Sequence, residues 1–148
     1  MPFATNSDLV KYYPNAMDHG VADWTNELDL AQGDVETLVK IRWFNIEFGG
    51  GNRNRFNPAS PQFNASLLSP TQWSRATVYR ALACYILPKL STFRPEGDAF
   101  REQLAFFQSR FDEEFNLQVS SGVEYDLNDD GVVAANEKHA IAQDRLYR

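Results

Sequence analysis

The chain has 148 residues, a formal charge of −6 and 43% hydrophobic, 23% charged and 14% aromatic residues. That is one domain's worth of an ordinary folded composition, which excludes a disordered chain. The acidity, with a pI near 4.8, excludes a dedicated nucleic-acid binder, which needs clustered Lys and Arg against phosphates.

The first residues, Met1-Pro2-Phe3-Ala4-Thr5-Asn6, carry no basic region followed by an apolar stretch. No apolar run reaches membrane-spanning length either, so a protein made in a cytoplasm and away from membranes is expected. Ser7 is placed to cap a short helix over 8–13 that Pro14 stops. After the turn-like segment 15–20 a longer helix begins near Asp23. Its residues Trp24, Leu28, Ala31, Val35 and Leu38 form one stripe at helical spacing. Gly33 interrupts it at a cost of about 1 kcal/mol relative to Ala, and Ile41, Trp43 and Phe44 extend the apolar end.

From Glu47 to Leu68 the pattern dissolves. Gly49-Gly50-Gly51, the Asn residues, Pro58 and Pro61 predict a long loop, and loops of that length are usually functional. No Gly-Lys-Ser/Thr ends it and no strand feeds it, which removes a P-loop. Arg53 and Arg55 are read either as solvated loop charges or as contacts to a phosphate or acidic partner.

Ser69-Pro70-Thr71-Gln72 is a helix start. Ser69 and Gln72 form a capping box, and Pro70 fits the first helical position. The helix runs through Trp73, Ala76, Ala83 and Ile86 and is expected to stop before Pro88. Apolar residues cover much of its circumference, which marks a central helix. The lone cysteine, Cys84, lies in this run. It excludes an internal disulfide and a four-cysteine zinc site, and reads as a buried thiol acting as a small hydrophobe.

Pro95 and Asp98 open the last long helix, on which Phe100, Leu104, Phe107, Phe111 and Phe115 repeat at core spacing until Gly122 stops it. There is no alternating strand pattern of convincing length. The expected fold is all-α, a small helical bundle with a long irregular loop at 46–68 and an extended C-terminal arm. Residues 1–122 form the helical domain and 123–148 the arm.

Chemistry-bearing constellations are scarce. His19 and His139 sit in unrelated contexts, and neither has a partner at triad or metal-ligand spacing. Adjacent Glu113 and Glu114 fall about 100° apart on a helix and read as a solvated face. No enzyme is expected. One motif is specific: residues 126–137 match the EF-hand loop. Asp126, Asn128 and Asp130 would offer side-chain oxygens to Ca²⁺, Val132 its carbonyl and Glu137 two carboxylate oxygens, with Gly131 at the sharp bend. Ser120-Ser121-Gly122 breaks the chain before it, and the loop is single. An Asp-Gly turn followed by a short capped helix explains much of the same string. A bound Ca²⁺ would be a structural ion ordering the arm, and no other cofactor is required. The final residues, Arg145, Leu146, Tyr147 and Arg148, are of the types favoured as interface anchors, or form a frayed tail.

In order, Ser7-Asp8-Leu9-Val10 with Pro14, the helix from Trp24 to Arg42, the block from Arg75 to Pro88, the Phe-rich helix ending at Gly122 and the tail after it resemble the head-tail adaptor (head-completion) proteins of long-tailed bacteriophages. The resemblance implies a structural virion subunit, one of a ring (a dodecamer in such connectors) docked beneath the portal and joined to the next neck or tail protein. The tail from Glu137 to Arg148, with Arg145, Leu146, Tyr147 and Arg148, would grip the portal. The loop 48–68 would face a neighbour or the channel, and genomic DNA would pass the acidic lumen without specific binding. The subunit would assemble in the host cytoplasm and reside in the neck of the virion. The alternatives are a calcium-binding helical interaction module, or another neck protein such as a stopper or tail terminator.

Overall fold

Segments with an apolar repeat near 3.6 residues fold here as helices, and two of them run on through a π-helical turn. The computed structural model describes residues 1–48, 62–91 and 99–139. The protein is all-α, and among the described residues the strands beside its helices are two residues long. The elements are α1 (Asn6–Tyr12), α2 (Thr25–Val39), α3 (Asn45–Glu47), α4 (Pro70–Ala81), α5 (Leu87–Leu90), α6 (Ala99–Ser121), β1 (Val123–Glu124) and β2 (Lys138–His139). The loop residues 49–61, including Arg53 and Arg55, and the terminal residues 140–148 lie outside the described residues.

The chain divides into two compact units that alternate along the sequence, 1–35 with 70–116, and 36–69 with 117–148. The boundary expected at 122 falls inside the second.

In the first unit, α1 starts two residues earlier than Ser7 predicts. Thr5 holds the cap position, and the Asp8 carboxylate accepts from its backbone N–H (3.0 Å) and its hydroxyl (2.9 Å). Asp8 also pairs with Lys11 at 2.9 Å, and that bond holds its carboxyl below the usual carboxylate range. Asn6 then ties α1 to the start of α2, accepting from the Trp24 backbone N–H at 3.0 Å and donating to Asp23 at 2.7 Å. Trp24, Leu28, Ala31 and Val35 are buried as the stripe predicts. The Trp24 indole N–H donates to the Ala16 carbonyl at 2.9 Å, so the largest ring at this helix end is satisfied as well as buried.

The predicted central helix is central, but it does not end before Pro88. A π-helical turn, Leu82–Ile86, joins α4 to α5, and the Leu87 N–H reaches back five residues to the Leu82 carbonyl. The wider turn moves the backbone out of the path of the proline ring. Pro88 then sits at the second position of a fresh helical segment, where its missing N–H costs little. This continuous rod is held on two sides within its unit. The Arg80 guanidinium bonds Asp34 of α2 at 2.9 Å and lies 5.4 Å from the Phe111 ring of α6. The Tyr85 hydroxyl donates to the same Asp34 carboxylate at 2.7 Å, and Lys89 pairs with the buried Glu27. Trp73 packs on Phe115 at 5.5 Å. Cys84 faces Gln108, and burial pushes its thiol up, so it stays a protonated packing group.

The second unit takes in the end of the α2 rod. A second π-helical turn, Lys40–Phe44, continues α2 into α3. Val39, four residues after Val35, carries the α2 stripe on, and Trp43 and Phe44 in the wider turn are buried as well. Leu38, expected in the stripe, is half-buried, and Ile41, expected to extend the apolar end, is 55% exposed.

Two fully buried polar atoms on consecutive turns of α4, the Trp73 indole N–H and the Thr77 hydroxyl, have no hydrogen-bond partner among the described residues. An unmatched buried hydroxyl costs about 1–3 kcal/mol. Thr77→Val keeps the shape and removes that group, so the urea midpoint should rise with an unchanged m value. A fall in the midpoint would show that the hydroxyl is bonded in solution.

Candidate functional site, the acidic loop 126–137

The loop is positioned by a strand that the sequence does not advertise. Residues 123–126 lie between two other segments. On one side β1 pairs antiparallel with β2, Val123 opposite His139 and Glu124 opposite Lys138, with a 3.0 Å ion pair between Glu124 and Lys138. On the other side Leu68 bridges Tyr125, the Ser69 N–H donates to the Glu124 carbonyl (3.2 Å), and the Asp126 N–H donates to the Leu67 carbonyl (3.0 Å). The loop therefore begins and ends beside one short ladder.

Tyr125 anchors that ladder. Its ring lies 5.6 Å from Trp43, 5.7 Å from Phe44, 6.2 Å from Phe63 and 6.5 Å from Phe48. Its hydroxyl accepts from the Asn64 backbone N–H at 3.0 Å, and burial pushes the phenol up, so it remains neutral. Asn64 in turn caps the 3₁₀ turn Ala65–Leu67 through Ser66. The ring cluster thus fixes the residue just before the first predicted calcium ligand.

Of the five residues expected to bind Ca²⁺, Asp126, Asn128, Asp130 and Glu137 turn side-chain oxygens to backbone N–H groups of the loop itself, and Val132 is tied to Asp130 by its own N–H. Asp126 accepts from Gly131 (2.8 Å) and Asp130 (3.2 Å), Asn128 from Asp130 (3.1 Å), and Asp130 from Val132 (2.9 Å). Glu137 accepts from Ala134 (2.9 Å) and Asn128 (3.3 Å). Asp126 and Glu137 are only 7% and 5% exposed, and these bonds offset the desolvation of two carboxylates. Asn128, Asp130 and Val132 are exposed. Asp129 (φ 55°) and Gly131 (φ 85°) are left-handed, which turns the chain back on itself in so few residues. Among the described residues, no three His, Cys, Asp or Glu gather as a metal-holding group.

The flanks are not those of an EF-hand. α6 ends at Ser121, Gly122 follows at φ 108°, and the residues before Asp126 belong to the ladder. The exit is a single 3₁₀ turn, Ala135–Glu137, that runs straight into β2. The pairing of 123–126 on both sides competes with any helix there.

The other candidates are dispersed. His19 stacks on Tyr13 and meets Phe100 edge-on, in the first unit. Glu113 is exposed beside Arg110, while Glu114 is buried 3.6 Å from Arg75. Arg145, Leu146, Tyr147 and Arg148 lie outside the described residues. Trp43, Phe63, Leu68 and Tyr125 are the residues that sequence reasoning did not assign to the site. Their one sequence signal is aromatic density around 43–63 and at 125, since their contacts are too distant in the chain to leave a periodic trace.

Comparison with protein-family models, with curated proteins and with solved structures gives no match.

A Cβ at Gly131 would meet nothing within 4 Å, so backbone conformation alone resists substitution there. Gly131→Ala should destabilise the protein by about 1–2 kcal/mol. An unchanged thermal midpoint would mean that the turn is not held in solution.

Proposed function

We propose that this chain is a non-enzymatic structural subunit of a bacteriophage head-tail connector, an adaptor that docks beneath the portal ring. The observation that supports it is that the four segments before the tail that carry the resemblance are helical in an all-α fold. α1 spans the Ser7 segment, α2 and its π-helical continuation the stretch to Arg42, α4 and its continuation the block from Arg75 to Pro88, and α6 the Phe stripe. In this reading copies of the chain form a ring, and its other face receives the next neck or tail protein. The virion neck is its location, and the net charge of −6 lets genomic DNA pass a like-charged lumen unheld.

The arm beyond β2 is the portal-gripping element. Tyr and Arg anchors at an interface centre typically cost 2 kcal/mol or more, about thirtyfold in affinity, when truncated. The test is the native mass of the purified chain mixed with the portal ring encoded in the same genome. Stoichiometric capture is expected, lost on deletion of residues 140–148 and weakened about thirtyfold or more by Tyr147→Ala with Arg148→Ala. Absence of capture by the full chain would sink the adaptor reading.

A second reading is that the loop 126–137 takes Ca²⁺ as a structural ion through Asp126, Asn128, Asp130, the Val132 carbonyl and Glu137. Its favouring observation is that two nearly buried carboxylates, Asp126 and Glu137, stand at the two ends of one tight loop with oxygen donors between them. Ca²⁺ at a hundredfold excess over its Kd would stabilise the fold by about 2.7 kcal/mol. The thermal midpoint should rise with Ca²⁺ but not with Mg²⁺, and the rise should vanish in Glu137→Gln. A midpoint indifferent to Ca²⁺ in the full chain would exclude the ion.

A further inference from the structure

We propose that one exposed line of α6, formed by Phe106, Arg110, Glu113 and Leu117, docks against the same line of a second copy, the two helices running antiparallel about a two-fold axis. The occupant is the identical line on the partner subunit. Such a contact closes at two copies and does not propagate, so it stands apart from the connector reading and does not rest on it.

The four residues follow one another at intervals of four, three and four along one continuous helix. At about 100° per residue they fall within an arc of about 60°, a narrow line along the helix. Two helices that meet along a seam use this interval. The line borders the face that α6 buries, where Phe107, Phe111 and Phe115 lie. Phe106 is nevertheless 52% exposed and Leu117 59% exposed. A single exposed apolar residue is ordinary. Two of them at the ends of one line, with opposite charges between, make a pattern.

That pattern is its own complement when reversed. Phe106 and Arg110 are four residues apart, and so are Glu113 and Leu117. Turned end for end about the point between Phe111 and Asp112, the line sets Phe106 on Leu117 of the partner subunit. The same turn sets Arg110 on Glu113 of the partner subunit, and both contacts recur on the other side of the axis. A parallel pairing would instead bring Arg110 to Arg110 of the partner subunit and Glu113 to Glu113 of the partner subunit. Like charges placed in that way are repulsive, so charge selects the antiparallel pairing.

The charges on the line are available for exchange. Arg110 and Glu113 meet at 3.3 Å with half or more of each side chain in solvent. A surface pair of that kind on one helix contributes little, so trading it for two pairs across the axis sacrifices little. The other acidic residues near the axis do not intrude. Asp112 lies about 100° around the helix from Glu113, and Glu114 is buried beside Arg75. The Phe106 ring is already held in place, edge-on to Phe107 at 5.1 Å and with the Arg110 guanidinium 5.2 Å from its centre. Ring and charge therefore face a partner with little further ordering, which is where binding usually loses affinity.

The test is sedimentation equilibrium of the full-length chain, in which a monomer–dimer equilibrium is expected. Arg110→Glu and Glu113→Arg should each weaken the dimer about tenfold or more. Mixing those two variants should restore a dimer, because each Arg then meets a Glu across the axis; an ion pair confined to one helix cannot give that result. Leu117→Ser should weaken the dimer while leaving the thermal midpoint of the diluted monomer unchanged or higher, which separates lost docking from lost folding. In full-length chains carrying Cys84→Ser, Phe106→Cys and Leu117→Cys should cross-link on oxidation when mixed and far less alone. A chain carrying both substitutions should stop at two copies. A wild-type chain that stays monomeric, a ladder beyond two copies, or no recovery on mixing the charge variants would overturn the proposal. Portal capture by a monomeric chain would remove this contact and leave the connector reading standing, and a dimer without capture would do the reverse.

Discussion

The Arg80 guanidinium is the contact on which the first unit turns. It emerges from a rod buried on most of its circumference, bonds a carboxylate on α2 and covers an aromatic ring on α6. A rod in that position cannot be broken without separating its neighbours, and yet its sequence carries Pro88. The π-helical turn Leu82–Ile86 resolves the conflict by admitting one extra residue before the proline. The lost intrahelical bond is confined to one turn, and the rod continues to Leu90 with Lys89 still placed against Glu27. An ordinary α-helical path would place the proline ring against the carbonyl four residues earlier, at a cost of about 3 kcal/mol. The wide turn is the less costly solution because packing holds it from both sides.

The second unit has a different organising element, the paired segment 123–126, which holds the two-residue β1 and the Leu68–Tyr125 bridge. Segment 123–126 gains ladder bonds from two sides and a ring cluster around Tyr125. Two-residue strands are marginal by themselves, so the aromatic contacts supply the burial that the ladder lacks. The loop 126–137 inherits its position from this arrangement rather than from helices. Its carboxylates meet backbone N–H groups, which satisfies a tight turn whether or not an ion is present. That is why the same residues serve a structural turn and a calcium reading equally well, and why only the response to Ca²⁺ separates them.

Legibility from sequence followed the range of the interactions. The helices were readable because their signals are local: the Trp24 to Val35 spacing, the Phe stripe, Pro70 at a helix start and Gly122 at an end. Pitch changes were not. Val39, four residues after Val35, takes the core place expected of Leu38, and Ile41 is exposed in the π-helical turn Lys40–Phe44, which no residue there signals. Pro88 misleads for the same reason, since its usual meaning assumes an α-helical approach. The helix starts from Thr5 rather than Ser7 because Asp8 stands three residues after Thr5 and completes a capping box, whereas Val10 holds that place after Ser7. At the loop, the five oxygen-bearing positions were legible as a motif, whereas the ladder that frames them pairs residues about sixty positions apart, Leu68 with Tyr125. Such pairing leaves no period in the sequence.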